Sequence, residues 1–245
     1  HAARLRASCE RGTSTLVGTG INPGLIAERF APVVSGMLTE LDSILCREVY
    51  DCLGMPNANY VFDVMGMGAN PEDVDLENGS LATLFTAMYR QCVGALAERL
   101  ELPLTGMQAD HQVTLAAQDI EARAGTISAG TVAATNWQIH GLVGEKRVIT
   151  HSVNWVMGKD VPGYEQFSHW EVNVRGKPGI DIRMDLVEPE NTGVKTTAVQ
   201  YGIAGMVTQA IPHVVSAAPG LLTFPAAPHY TPRLASQQAR GYRQR

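Results

Sequence analysis

The chain has 245 residues, a formal net charge of −5, and 45% hydrophobic against 18% charged residues. That apolar content builds a core and excludes general disorder. With 19 Lys+Arg against 24 Asp+Glu there is no cationic field for a phosphate backbone, which argues against a nucleic-acid partner. No apolar run reaches the roughly 18–20 residues that span a bilayer, which argues against a membrane one.

The length suits one large domain or two small ones at roughly 150 residues each. The chain starts at His1 and runs straight into what reads as the middle of a helix, without the apolar core of a secretory signal. It therefore reads as a fragment or processed product. Cys9, Cys46, Cys52 and Cys92 have neither CxxC nor zinc-finger spacing and read as free thiols in a reducing cytoplasm.

Ala2 to Gly12 predicts a helix end, followed by a short strand at Thr15-Leu16-Val17. Asn22-Pro23 predicts the next helix, Asn as N-cap and Pro at the first position, with Pro32 breaking or kinking it. Ile44 to Cys52 predicts a strand. Residues 54–79 are rich in Gly, Asn and Pro and predict a long irregular connection. Ser80 is expected to cap a helix with Leu81, Leu84, Phe85, Met88, Cys92 and Leu96 on its apolar stripe.

From Met107 to Val187 the apolar period becomes two, giving about five hairpin-linked strands. Ile149, Val153, Trp155 and Met157 share a face with His151, and Trp170, Val172 and Val174 alternate with His169, Glu171, Asn173 and Arg175. A long helix is expected from Thr192 to about Val215, thinned by Gly202 and Gly205, ahead of a polar, basic tail from Ala235. The expected class is α+β: a mostly antiparallel, mixed sheet with helices packed on one face.

The sharpest motif is Gly18-Thr19-Gly20-Ile21-Asn22-Pro23-Gly24, between a strand and a helix. It is one residue too long for the G-x-G-x-x-G dinucleotide fingerprint, and Pro23 lacks an N–H that a phosphate would use. Glu40 and Asp42 stand at the wrong end of their strand for the ribose acid. The turn is either a capped helix start or a device presenting Asn22 and backbone amides to a polar group. The seven histidines form no HxH or HExxH, so each reads as a satisfied sheet residue, with His169 and Glu171 paired on one face. Tyr60, Phe62, Met65 and Met67 either pack a core or line an apolar pocket.

Four stretches carry a resemblance: Gly18 to Gly24, Phe62-Asp63-Val64-Met65-Gly66-Met67-Gly68, Ala124 to Val132, and Ala210-Ile211-Pro212 to Pro219-Gly220-Leu221-Leu222. In this order the chain resembles the 2,4-diaminopentanoate dehydrogenase and native amine dehydrogenase family, whose members are often called dihydrodipicolinate reductase-like. The likeness runs over about residues 1–225. It lacks the His-His-x-x-Lys run of true dihydrodipicolinate reductases, since no two histidines are adjacent.

The resemblance implies the C-terminal portion of an oxidoreductase using NAD or NADP on CH–NH2 groups, with a small amine or ketone as partner and a homodimer as assembly. It implies that residues 1–24 are the remnant of a Rossmann-type dinucleotide domain, 25–191 a substrate-binding and dimerisation domain, and 192–245 a helix and tail packing back on the nucleotide domain. Rossmann remnants would then stand at both ends. Thr19, Gly20, Asn22 and Pro23 would contact the cofactor, with Asn22 at the nicotinamide carboxamide, and Ile26, Phe30, Tyr60 and Phe62 would line the amine pocket. The family's catalytic carboxylate falls outside this chain, so the chain alone is expected to be inactive. The rival expectation is a non-enzymatic α+β dimerisation or small-ligand-binding module.

Overall fold

The computed structural model describes residues 2–76, 78–164, 168–190, 193, 196–224 and 227–232. His1, the Thr192 start of the expected last helix and the tail from Ala235 lie outside the described residues. Helix α1 (Ala2–Arg11) and strand β1 (Thr15–Leu16) open the chain at their expected places. The partner of β1 comes from the far end: residues Gly220–Leu221 form a parallel strand beside it, and α1 packs on that strand.

The next helix differs from expectation. The segment Ile26–Phe30 is a π-helical turn that passes into α2 (Ala31–Ser35). Asn22 caps neither, because the Ile21 carbonyl itself accepts from Leu25 N–H (2.9 Å) and Ile26 N–H (3.0 Å). Gly24 N–H donates to Glu28 Oε2 at 2.9 Å, so the orphan donors are satisfied without the Asn22 side chain. Pro32 is the second residue of α2, where a missing N–H costs nothing.

Strand β2 (Glu40–Asp51) is central. The long connection after it is not wholly irregular: it carries a π-helical turn at Tyr60–Val64 and a 3-10 turn at Pro71–Asp73. In α3 (Ser80–Arg99) the N-cap is Gly79, and Ser80 is the first helical residue. The buried stripe includes Ala82, Phe85, Tyr89, Cys92, Val93 and Leu96, whereas Leu84 is exposed. The expected stripe was thus rotated toward Leu84. Tyr89 and Val93 take the inner face because the sheet below α3 is walled by Trp137 and Ile139.

Strands β3 (Gly106–Ala109), β4 (Gln112–Leu115), β5 (Ile120–Ala122), β6 (Gly125–Ile127), β7 (Val132–Val143), β8 (Lys146–Val156), β9 (His169–Lys177) and β10 (Ile180–Asp185) follow. They precede α4 (Ala198–Ser216) and the terminal strand β11 (Gly220–Leu221). The main sheet runs β10-β9-β2-β8-β7-β3, with β4 also on β7, while β5 and β6 form a separate hairpin. Only the β2–β8 pairing is parallel within it, so the sheet is mixed and the α+β class stands.

Alternation assigns the two faces. Ile44, Cys46, Trp137, Ile139, Ile149, Val153, Trp170 and Val172 face a core closed by α2 and α3. A second core gathers Val61, Met65, Met67, Ile127, Val132 and Met157 under the β5–β6 hairpin. The long connection therefore supplies packing as well as a cleft wall. Helix α4 starts with a reciprocal cap: Gln200 N–H donates to Thr197 Oγ1, and Thr197 N–H donates to Gln200 Oε1. A Cβ on Gly202 would stand 3.0 Å from Ile21 Cδ1, so its thinness serves the chain's own turn, whereas Gly205 faces open space.

Candidate functional site

The turn at Gly18–Gly24 is built from close backbone approaches. Gly24 has φ +129°, and a Cβ there would lie 2.6 Å from Gly20 N and O. A Cβ on Gly20 would lie 2.7 Å from Pro23 O. Only glycine fits such a fold-back. It carries Asn22 over the end of β2 and into a cleft.

That cleft has a volume of about 270 Å³. Gly20, Asn22 and Pro23 form one wall, Tyr60 and Met65 the second, Trp155 and Trp170 the floor, and Val199 and Ile203 of α4 the last side. Glu48 of β2 opens into it. Its register neighbours are Trp170 on β9 and Val153 on β8, so it stands on the apolar face of the sheet's middle strand.

Glu48 is buried, and its carboxyl is held by two donors. Trp170 Nε1–H donates to Glu48 Oε2 at 2.6 Å, and the Asn22 side-chain amide donates to the same carboxyl. Burial pushes the carboxyl up to about 7, and the Trp170 and Asn22 hydrogen bonds oppose that shift. The Asn22 amide oxygen is buried without a partner. A buried acceptor in this position calls for a donor, from an ordered water or from a bound molecule. Tyr50 also lines the cleft, and burial raises its hydroxyl's pKa.

The residues singled out from sequence divide between places. Gly20, Asn22, Pro23 and Tyr60 line this cleft. Thr19 lies on the far side of the turn, where it accepts from Arg29 Nη2 at 3.4 Å in a second cleft lined also by Arg99 and Phe224. Ile26 is fully buried in the core, and Phe30 packs against that core. Phe62 stands beside Gly68 and Gly125, under the β5–β6 hairpin. The apolar face of the helix after Pro23 thus turns inward rather than to the cleft.

Glu48, Tyr50, Trp155 and Trp170 were missed. A signal existed for Glu48: Ile44, Cys46, Glu48 and Tyr50 share one strand face by alternation, and a carboxylate there breaks an apolar run. Nothing in the sequence paired it with Trp170, 122 residues away.

The histidines lie elsewhere. His169 Nε2 pairs with Glu171 Oε1 at 3.3 Å on the opposite face. His140 Nδ1 meets Thr150 Oγ1 at 2.9 Å, and His111, in the turn between β3 and β4, meets Thr86 Oγ1 at 2.8 Å. His151 departs from expectation. It is buried against the Tyr89 ring, and both of its ring nitrogens lack partners. It shares register with Ile139, so strand alternation turned it inward. Among the described residues no group of three His, Cys, Asp or Glu side chains is placed to hold a metal ion. No described helix is long and apolar enough to cross a membrane.

Comparison with known proteins adds a family. Residues 26–241 match the model of the 2,4-diaminopentanoate dehydrogenase C-terminal domain. The chain is 25% identical over 227 residues to an amine dehydrogenase of Streptomyces virginiae, covering 88% of this chain and 61% of that protein. It is 28% identical over 225 residues to a 2,4-diaminopentanoate dehydrogenase of Acetoanaerobium sticklandii, covering 89% of this chain and 58% of that protein. The chain thus spans about three-fifths of the length of these curated relatives. An amine dehydrogenase structure from Mycobacterium smegmatis shares the fold, with a TM-score of 0.66 and 16% identity, over 94% of this chain and 65% of that one.

Proposed function

The chain belongs to the 2,4-diaminopentanoate dehydrogenase C-terminal domain family, and from that premise we propose that it is the C-terminal portion of an NAD(P)-dependent oxidoreductase acting on CH–NH2 groups. The whole protein oxidises a primary amine to an imine, released as ketone plus ammonia, or runs the reverse reductive amination. The observation that carries this reading is the cleft beneath the glycine turn, where an unpartnered Asn22 amide oxygen meets aromatic walls and a buried carboxyl.

The donor set fits a nicotinamide carboxamide. Asn22 keeps one buried acceptor free while its amide N–H is used on Glu48, and a carboxamide N–H matches that acceptor. Gly20, Asn22 and Pro23 hold that end, with Thr19 behind the turn. When bound, the nicotinamide supplies hydride transfer. The chain's own residues orient and shield: Tyr60, Trp155 and Ile203 exclude water from the substrate carbon, and the Asn22 turn fixes the angle of approach.

Residues 1–24 and 192–245 are read as edges of a Rossmann-type nucleotide domain around a substrate domain at 25–191. Two observations support this. Among the described residues the end strands β1 and β11 pair only with each other and leave an open edge, and α4 leaves Ile203, Val207, Ile211 and Val215 exposed along its length. Such an apolar line suits coverage by further chain. The whole protein works as a cytoplasmic homodimer on a small amine or ketone, without a nucleic-acid or membrane partner.

Reading the coding sequence upstream of His1 tests the proposal. A G-x-G-x-x-G beginning roughly 100–150 residues earlier is expected. The longer protein should then produce NAD(P)H when given an amine, and the 245-residue chain should not. An unrelated upstream domain, or NAD(P)H production by the chain alone, would overturn it.

A further inference from the structure

The Asn22 cleft contains an acid without a cation. Its charged lining group is Glu48, and no Lys, Arg or His joins it among the described lining residues. A carboxyl on the apolar face of a central strand costs stability, since desolvation is recovered only through its partners. Here those partners are the Trp170 indole at 2.6 Å and the Asn22 amide, both themselves part of the cleft lining. Tyr50, Tyr60 and Trp155 line the rest of the cleft. A carboxylate sharing a cleft with aromatic side chains is suited to an organic ammonium, through a charge-assisted hydrogen bond and ring–cation attraction.

We propose that Glu48 is the residue that recognises the substrate's ammonium group, and so selects amines over neutral molecules of the same shape. This rests on the amine reading above and adds a carboxyl to it. Trp170 and Asn22 act as positioning residues: each fixes the carboxyl by donating to it. Asn22 thereby links the proposed carboxamide contact to the ammonium contact through one amide. The binding step needs no bond change, because the ammonium donates an N–H to the carboxylate.

The nearby titratable groups do not compete. Tyr50, Tyr60, Tyr89 and Cys52 are all pushed up by burial, so they stay neutral where a carboxyl titrates. Glu48 is then the charge that changes in the cleft.

The test uses the 245-residue chain with n-pentylammonium, and 1-pentanol as the neutral probe. The readout is calorimetry together with the indole N–H resonance of Trp170. At pH 8.5 n-pentylammonium should bind, and Glu48→Gln should weaken it about tenfold or more while leaving 1-pentanol unchanged. In the unmodified chain the Trp170 resonance should titrate near pH 7, and saturating n-pentylammonium should lower that midpoint. This second measurement needs no variant.

No binding of n-pentylammonium, equal binding by Glu48→Gln, or a pH-independent Trp170 resonance would each overturn the proposal. Amine oxidation by the longer protein with ammonium binding indifferent to Glu48 would remove this inference alone. Glu48-dependent binding without oxidation would remove the enzymatic reading instead.

Discussion

Trp170 Nε1–H points at Glu48 Oε2 from the neighbouring strand, 2.6 Å away and out of solvent. The bond favours the ionised carboxyl, whereas burial favours the protonated one and is the larger effect. The folded carboxyl, raised from 4.5 to about 7, keeps a proton that the unfolded chain releases between those values. The folded state therefore binds more protons there, and this group's contribution to stability falls as pH rises from 4.5 through about 7. The loss is about 3 kcal/mol. Trp170→Phe removes the donor, and urea unfolding should show a cost of about 1–3 kcal/mol at pH 8.5 and less at pH 5. An equal cost at both pH values would show that Trp170 acts on Glu48 by packing alone.

His151 gives a slope of the opposite sign. Burial lowers its imidazole from 6.5 to about 4. The unfolded chain takes up a proton in that window and the folded chain does not, so stability falls as pH drops from 6.5 to about 4. His151→Leu removes two unpartnered nitrogens from the core. It should add about 1–2 kcal/mol at pH 7 and more at pH 5. Thermal melts of both proteins across pH 4.5–8 would show whether the difference widens toward acid.

Backbone space at the turn predicts a contrast between two glycines. Gly24→Ala places a methyl 2.6 Å from Gly20 backbone atoms at φ +129°, and should cost about 1–3 kcal/mol or more. A Cβ on Gly18 meets nothing within 4 Å, so Gly18→Ala should stay within about 0.5 kcal/mol. Denaturant midpoints decide between them, and similar losses at both would refute the fold-back geometry.

Asn22→Ala in the longer protein should lower turnover about tenfold, with a smaller change in cofactor affinity. Steady-state kinetics against cofactor titration separates the two. Unchanged turnover would confine Asn22 to its bond with Glu48.

Thiol titration checks the cores. Cys46, Cys52 and Cys92 are buried and their thiols are pushed up, Cys46 to about 12, while Cys9 is partly exposed. A native chain should show fast reaction at Cys9 alone, and all four should react after unfolding.

The strand alternation of β8 and β9 and the pairing of His169 with Glu171 were readable because each depends on neighbours a few residues apart. The glycine turn was readable for the same reason, although Asn22 is not the helix cap expected there. The facing stripe of α3 was not, since its phase follows the shape of the sheet beneath it, which buries Tyr89 and leaves the more apolar Leu84 exposed. The family resemblance likewise placed Phe30 and Phe62 at a pocket. Packing sent Phe30 against one core and Phe62 under a hairpin.

By itself the sequence determined the α+β class, the glycine turn and the family resemblance, because period, turn chemistry and motif order are properties of the chain read in line. Only the tertiary structure decided that β1 closes on β11, that Asn22 leaves its helix to bond Glu48, and that Trp170 arrives beside that carboxyl. Those relationships join residues that no local interaction brings together. They form when strands from distant parts of the chain come into register and leave one carboxyl on the dry side of the sheet.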